Sequence, residues 1–336
     1  MKNVLVTGGA GFIGSNFINH ILAKRDDYFI INLDKLTYAG NLENLRQSEN
    51  NKNYLFIKGD IANAELINHI FETYNIKYVI NFAAETHVDR SISGSQIFYT
   101  SNVIGTNVLL ETALKFKIEK FLQISTDEVY GSLGAEGFFT ELTPLAPNSP
   151  YSSSKAAADL MVLAFYHTYG LPVVITRCSN NYGPYQFPEK LIPLMVINSL
   201  NNRKLPVYGD GLNVRDWIYV TDHNQAAELV LEKGRIGEIY NVGASNEMSN
   251  IEIIKLILKR LNKPGDLIQY VKDRPGHDRR YAIDSLKIQR ELGWKPEYSF
   301  EEALSKTLDW YIENKSWWES IITGEYRKYY KNQYKL

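Results

Sequence analysis

Two acidic residues, Asp127 and Glu128, close the apolar run "FLQIST". Adjacent carboxylates repel each other and are costly to desolvate, so a buried-looking strand that ends on such a pair calls for a function. Neighbouring side chains on a strand point to opposite faces, but at the carboxyl end, where the chain turns into a loop, two of them can converge on one ligand. Repulsion discourages double ionisation, which suits a general acid beside a general base. An Asp-Glu dipeptide is also a common solvated loop element, and residue types alone leave open which carboxyl is the acid.

A second pair follows in "SPYSSSKAAADLM", where Tyr151 and Lys155 stand four residues apart. On a helix these positions share a face, and a nearby ammonium is expected to lower the phenol pKa and make it a base for an alcohol proton. Alone, such a pair is incidental helix surface. It gains meaning from "VTGGAGFIG" near the start, which carries Gly8, Gly11 and Gly14 directly after an apolar run and before a helical one. Glycines there permit a tight turn whose backbone N–H groups meet a pyrophosphate at the positive end of a helix. Asp34 ends the second apolar run, 20 residues after Gly14, where a carboxylate accepts hydrogen bonds from a ribose 2′-hydroxyl and repels a 2′-phosphate. NAD is therefore expected rather than NADP. Asp60, closing "FIKGD", is expected at the adenine end.

Positioning these groups requires a particular scaffold. "NVLVTG", "FIINLD", "YLFIKGD", "YVINFAAE", "FLQIST" and "VVITRC" each read as a buried strand. Helical spacing separates them, as in "AELINHIFETY", where Leu66, Ile67, Ile70 and Phe71 share a face. The alternation implies an α/β fold with a doubly wound, mostly parallel sheet of the dinucleotide-binding (Rossmann) type, whose ligands sit at the carboxyl ends of the strands. The second half is less regular. "NNYGPYQFPEKLIP" and "DRPGHDRR" read as binding loops, and "NIEIIKLILKRLN" and "EEALSKTLDWYIENK" as amphipathic helices. We expect a nucleotide-binding domain over 1–177 and about 212–242, with "GEIYNVG" returning to the sheet. A smaller α/β domain is expected over about 178–211 and 243–336. The tail "EYRKYYKNQYKL" reads as a solvated terminal segment rather than a nucleic-acid patch.

Composition narrows the classes. A 44% hydrophobic and 22% charged chain of 336 residues is an ordinary globular protein, and a net charge of −1 gives no pull toward nucleic acid or membrane. No basic leader precedes the first strand, no run approaches the roughly 20 apolar residues of a membrane span, and Cys178 is the only cysteine. A cytoplasmic protein is expected. His20, His69, His167 and His223 read as ordinary helix or loop residues, and without cysteine partners or metal-like spacing no metal site is expected.

With Tyr151 and Lys155, the glycine turn resembles the extended short-chain dehydrogenase/reductase family. "TDEVYG", "YSSSK", "RCSNNYGPYQ", "EKLIP", "YGDGLNVRDW" and "DRPGHDRRYAID" are similar to its nucleotide-sugar dehydratases, over nearly the whole chain. The resemblance implies a hydro-lyase with tightly held NAD that converts dTDP-glucose to its 4-keto-6-deoxy product. It implies Asp127 as acid at the C6 oxygen, Glu128 as base at C5, and Thr126 as hydroxyl partner of Tyr151 and Lys155. Around the cofactor it implies Phe12, Ile13, Lys35, Leu36, Thr37 and Ile61, then Phe82, Ala83, Ala84, Ser101 and Asn181. Around the substrate it implies Thr86, where the family more often has Ser, with Asn180, Lys190, Leu191, Pro206 and Tyr208. Asn250, His277 and two arginines for the diphosphate, Arg215 and Arg274, complete that set. It also implies a homodimer, through a four-helix bundle of "FYTSNVIGTNVLLETALKF" and "SSSKAAADLMVLAFYHTYG" with their two-fold mates.

Rival readings remain. The same chemistry on UDP-glucose differs by one methyl on the base, worth only about 1–3 kcal/mol of discrimination. A nucleotide-sugar 4-epimerase or decarboxylase does not obviously need both carboxylates. A binding-only NAD sensor would tolerate damage at Tyr151, Lys155 or the acids, and these residues are intact.

Overall fold

The computed structural model describes residues 1–322 and 324–334. The apolar runs form strands β1 (Lys2–Thr7), β2 (Tyr28–Asp34), β3 (Tyr54–Lys58), β4 (Tyr78–Asn81), β5 (Lys120–Thr126) and β6 (Val173–Cys178). Three short strands follow, β7 (Asn180–Tyr182), β8 (Leu205–Tyr208) and β9 (Val214–Tyr219). The last three are β10 (Ile239–Val242), β11 (Glu247–Ser249) and β12 (Ile268–Val271). Seven of them make one sheet in the order β10-β6-β5-β4-β1-β2-β3, with every pairing parallel. Strand order reverses between β1 and β4, and at that switch point the carboxyl ends splay to leave a crevice.

Buried strands in such a sheet need apolar side chains on both faces, and all seven residues of β5 are buried. One face packs Phe17, Ile18 and Ile21 of the helix Phe12–Lys24 and Ala226, Ala227 and Val230 of the helix Val220–Lys233. The other face packs Ile67, Ile70 and Phe71 of Ala64–Tyr74, with Leu109 and Leu110 of Thr106–Phe116. The sequence reading also places Leu66 on the apolar face, and this residue packs at the margin of the same core.

A third core lies outside the large sheet, built from Ile192 and Val196 of the helix Leu191–Leu200, Ile253 and Ile257 of Asn250–Arg260, and Leu308 and Tyr311 of Phe300–Glu313. Its strands form a three-stranded sheet, β11-β9-β7, and a parallel pair, β12-β8. The proposed domain limits are crossed in two places. β9 falls within the span 212–242, yet it pairs with β7 and β11, and Trp217 and Tyr219 enter the third core while Ile218 faces the first. Alternation along a strand at the seam lets one segment serve both cores. Conversely, Ile288 and Trp294 pack against the nucleotide-binding sheet.

The tail departs from its expectation. Instead of a solvated segment, Gly324–Tyr334 is a helix. Tyr326 donates to the Pro188 carbonyl at 3.0 Å, Tyr330 packs against the third core, and Tyr334 is buried. Its tyrosines supply apolar area that a count of basic residues overlooks. Lys335 and Leu336 lie outside the described residues.

Candidate active site

The crevice begins at the glycine turn. Gly8 has φ +69°, and a Cβ there would sit 2.6 Å from the Ala83 nitrogen, so only glycine allows β1 to turn this close to the loop after β4. A Cβ on Gly14 would meet the Gly8 carbonyl oxygen at 2.4 Å, so the helix can abut the turn only without a side chain. The helix Phe12–Lys24 starts at Gly11 with no side-chain cap and no acid in its first turn, leaving its N–H groups and partial positive charge for an anion. Asp34 accepts from the Ala10 N–H at 2.9 Å and the Leu36 N–H at 2.7 Å. Burial raises its pKa, and those two N–H groups oppose the rise. Each carboxylate oxygen keeps a further lone pair for a ribose hydroxyl. Lys35 pairs with Asp60 at 2.7 Å, and this ammonium with the Ala62 N–H outweighs burial to hold Asp60 low.

These residues line one cavity of about 280 Å³, together with Phe12, Ile13, Thr37, Ile61, Phe82, Ala83, Ala84, Ser101, Asn181 and Thr86. Leu36 does not line it and acts through its backbone, with φ +55° turning its N–H onto Asp34. The cradle, the ribose acceptor and the apolar walls fit a dinucleotide. Among the described residues no group of three or more His, Cys, Asp or Glu is placed to hold a metal ion.

The same cavity reaches Thr126, Asp127, Glu128, Tyr151 and Lys155. Two elements deliver them. β5 ends at Thr126, and a single 3₁₀ turn, Asp127–Tyr130, swings both carboxyls to one side. The Thr126 hydroxyl accepts from the Glu128 N–H at 3.3 Å and donates to Asp127 at 3.3 Å, which stabilises that turn. The second element is the helix Pro150–Tyr169, started by a Ser149–Ser152 capping box with proline at its first turn and ended by Gly170 at φ +68°. Its first turn projects Tyr151, whose ring meets Phe98 edge-on at 6.4 Å. One turn later Lys155 donates to the Ile124 carbonyl at 2.7 Å.

The electrostatics separate the two acids. Burial pushes Asp127 well above the usual carboxylate range, and the charges of Glu128 and Asp216 push the same way. Burial also raises Glu128, but Arg274, Lys190 and Arg215 all pull it down. Asp127 is therefore the better-protonated partner and Glu128 the better-ionised one. The phenol departs from its expectation. Burial raises Tyr151 well above its ordinary value, and Glu128 adds to this, whereas Lys155 donates a hydrogen bond to a backbone carbonyl and is itself lowered by burial. Cys178 lines the cavity at the end of β6 and is pushed up to about 12, chiefly by burial, so it is a neutral thiol.

At Glu128, Asn180, Glu189 and Lys190 the cavity opens into a second of about 150 Å³. Leu191, Pro206, Tyr208, Arg215, Asn250, Arg274 and His277 line this one. Arg215 is held by the Val214 and Asp278 carbonyls at 2.7 and 2.9 Å and lies 4.2 Å from the Tyr281 ring centre. Lys190 donates to the Thr86 carbonyl at 3.0 Å. Neither cation spends its charge on a carboxylate there, an arrangement suited to an anionic ligand. The Asp127 Oδ2, Asn180 Oδ1 and Arg274 Nε atoms are buried with no hydrogen-bond partner among the described residues. Such atoms are costly unless a ligand satisfies them.

Sequence reasoning missed several residues here. Asp89 accepts from Tyr208 at 2.9 Å and pairs with Arg274 at 3.1 Å, so it aims both into the second cavity. Glu189 pairs with Arg90 at 3.1 Å at the junction, and its place beside Lys190 in "PEKLIP" was the one available signal. His87 and Tyr334 carry no motif, and only folding brings them to this cavity.

Residues 5–307 match the family described as GDP-mannose 4,6 dehydratase. A dTDP-glucose 4,6-dehydratase of Xanthomonas campestris is 51% identical over 345 residues, covering 97% of this chain and 98% of that protein. The chain belongs to the dTDP-glucose 4,6-dehydratase family. Among solved structures, the dTDP-glucose 4,6-dehydratase of Bacillus anthracis, in complex with NAD, is 55% identical with a TM-score of 0.90. The match covers 96% of this chain and all of that one. The dTDP-glucose 4,6-dehydratase of Streptomyces venezuelae, with NAD and dTDP bound, is 48% identical with a TM-score of 0.92 and covers 95% of this chain and 99% of its own. A UDP-glucose 4-epimerase of Thermotoga maritima shares the architecture at 32% identity, with a TM-score of 0.87 over 93% of this chain and 99% of that one. The fold is thus shared with an epimerase as well as with dehydratases.

Proposed function

We propose that this protein holds NAD and dehydrates dTDP-glucose to dTDP-4-keto-6-deoxyglucose. The observation that carries the reading is the convergence of Asp127, Glu128, Tyr151 and Lys155 on the cavity that also holds the glycine turn. NAD, when bound, supplies reversible hydride acceptance, from C4 of the sugar at the start and back to C6 at the end. The glycine turn, Asp34 and the Lys35–Asp60 pair hold its phosphates and adenosine. Tyr151 takes the proton from the C4 hydroxyl, with the Thr126 hydroxyl as its hydrogen-bond partner. The Thr126 hydroxyl and the positive ring of the oxidised cofactor oppose the burial that raises the phenol. Once C4 is a ketone, the C5 proton is acidic and Glu128 removes it. Asp127 gives its proton to the C6 hydroxyl, which leaves as water. Glu128 then returns its proton to C5, and the proton that Tyr151 took from the C4 hydroxyl replaces, through solvent, the one Asp127 gave up, so protons and electrons balance within one turnover. Arg215, Arg274 and Lys190 neutralise the diphosphate and keep Glu128 ionised between turnovers.

The purified protein is expected to convert dTDP-glucose to the 4-keto-6-deoxy sugar with no added reductant, followed by NMR of the product. Formation of a C4 epimer alone, or no turnover, excludes the reading. Measuring kcat/KM side by side for dTDP-glucose and UDP-glucose assigns the base preference.

The remaining parts of the reading stand on the same footing. A nucleotide-binding domain and a smaller substrate-binding domain meet at β9. A cytoplasmic setting is supported by the buried free thiol Cys178; among the described residues no helix is long and apolar enough to cross a membrane. A homodimer is supported by large apolar side chains left exposed on the helices flanking the site. Ile97, Ile104 and Leu160 are 46%, 54% and 57% exposed, and Tyr99 and Tyr169 on the same two segments are exposed as well. Leu160→Asp is expected to shift the sedimentation coefficient from dimer to monomer. An unchanged dimer moves the interface elsewhere.

A further inference from the structure

We propose that the C-terminal helix Gly324–Tyr334 forms one wall of the nucleoside end of the substrate pocket, with the Tyr334 ring packing against the pyrimidine. This deepens the nucleotide-sugar reading above and rests on it. Tyr334 is only 8% exposed, and it lines the second cavity rather than closing over empty surface. Its ring stands 5.7 Å from that of Tyr208 at an interplanar angle of 38°. Trp217, Leu194, Met195, Pro206 and Val207 line the same cavity, so aromatic rings and apolar side chains share it with the cations already described. A flat, weakly polar ring belongs against such a surface, and a diphosphate belongs at Arg215, Arg274 and Lys190.

The helix end is anchored at that position. The Gln333 amide donates to the Tyr208 hydroxyl at 2.7 Å and to Asp89 at 3.2 Å. Asp89 in turn holds Arg274 and Tyr208. One carboxylate thus ties the tail, the aromatic wall and a phosphate-facing arginine together. Farther back, Tyr330 accepts from the Asn198 amide at 3.0 Å and Tyr326 bonds Pro188, two residues before Lys190. The register of the helix is therefore set from three sides, which makes Tyr334 a preorganised contact.

The test compares the wild-type holoenzyme with Y334A and Y334F, by calorimetric titration with dTDP and, separately, with inorganic pyrophosphate, which lacks the base. Loss of an aromatic packing partner is expected to weaken dTDP and raise KM for dTDP-glucose about tenfold in Y334A. Pyrophosphate affinity, bound NAD and kcat are expected to stay within about twofold, and Y334F to restore dTDP affinity. Unchanged dTDP affinity in Y334A overturns the proposal, and so does equal weakening of dTDP and pyrophosphate, which marks a purely structural tail. Failure of the wild type to turn over dTDP-glucose would instead sink the activity itself.

Discussion

Tyr151→Phe is expected to lower kcat for dTDP-glucose dehydration by roughly 10²–10⁴-fold, the span set by loss of a positioned acid or base. The change removes one oxygen and leaves the ring, so the edge contact with Phe98 and the helix start at Ser149 persist. Bound NAD and the affinity for dTDP should be unchanged. Because C4 oxidation comes first, the variant should also form no reduced nicotinamide in a single turnover and exchange no C5 proton with solvent. Rapid-mixing absorbance and deuterium incorporation read these two outcomes. Activity within tenfold of wild type would take the C4 proton away from Tyr151.

Glu128→Gln separates the later steps from the first. The amide keeps the size and the bonds of the 3₁₀ turn but cannot accept the C5 proton. Reduced nicotinamide should therefore form on mixing with dTDP-glucose and persist, while C5 exchange disappears and product formation falls by roughly 10²–10⁴-fold. The pH profile carries the same assignment. Glu128 works ionised and its pKa is raised by burial, so elimination by the wild type is lost as pH falls through that raised value. Asp127 works protonated and is held well above the usual carboxylate range, so activity is lost as pH rises past it. Glu128→Gln should remove the acid limb and leave the alkaline one. Elimination at the parental rate, or an unaltered acid limb, would move the base to another residue.

Glu128 and Asp127 acquire different environments for a geometric reason. They are neighbours in sequence and close in chemistry, yet Glu128 meets three cations, Arg274, Lys190 and Arg215, against Asp278, whereas Asp127 meets Glu128 and Asp216 with Arg215 to offset them. Arg215 arrives from β9 and Arg274 from the loop after β12, 87 and 146 residues away from Glu128 by their numbers. No local pattern carries that information. The same holds for the phenol: four-residue spacing brings Lys155 to the correct face of the helix, but its ammonium donates to the carbonyl of Ile124.

What the chain declares by itself is local and periodic. Glycine spacing, the acid at the end of β2, the apolar strand runs and the four-residue spacing of Tyr151 and Lys155 are short-range requirements of backbone geometry and burial, so they are written where they act. The tertiary structure decided the rest. It drew β9 out of the large sheet, set Asp89 under Arg274 and Tyr208, and turned a basic, tyrosine-rich tail into a helix against the pocket. Those outcomes depend on contacts between residues far apart in the chain, more than a hundred positions for Asp89 and the tail, and side-chain type says nothing about which distant surface will bury it.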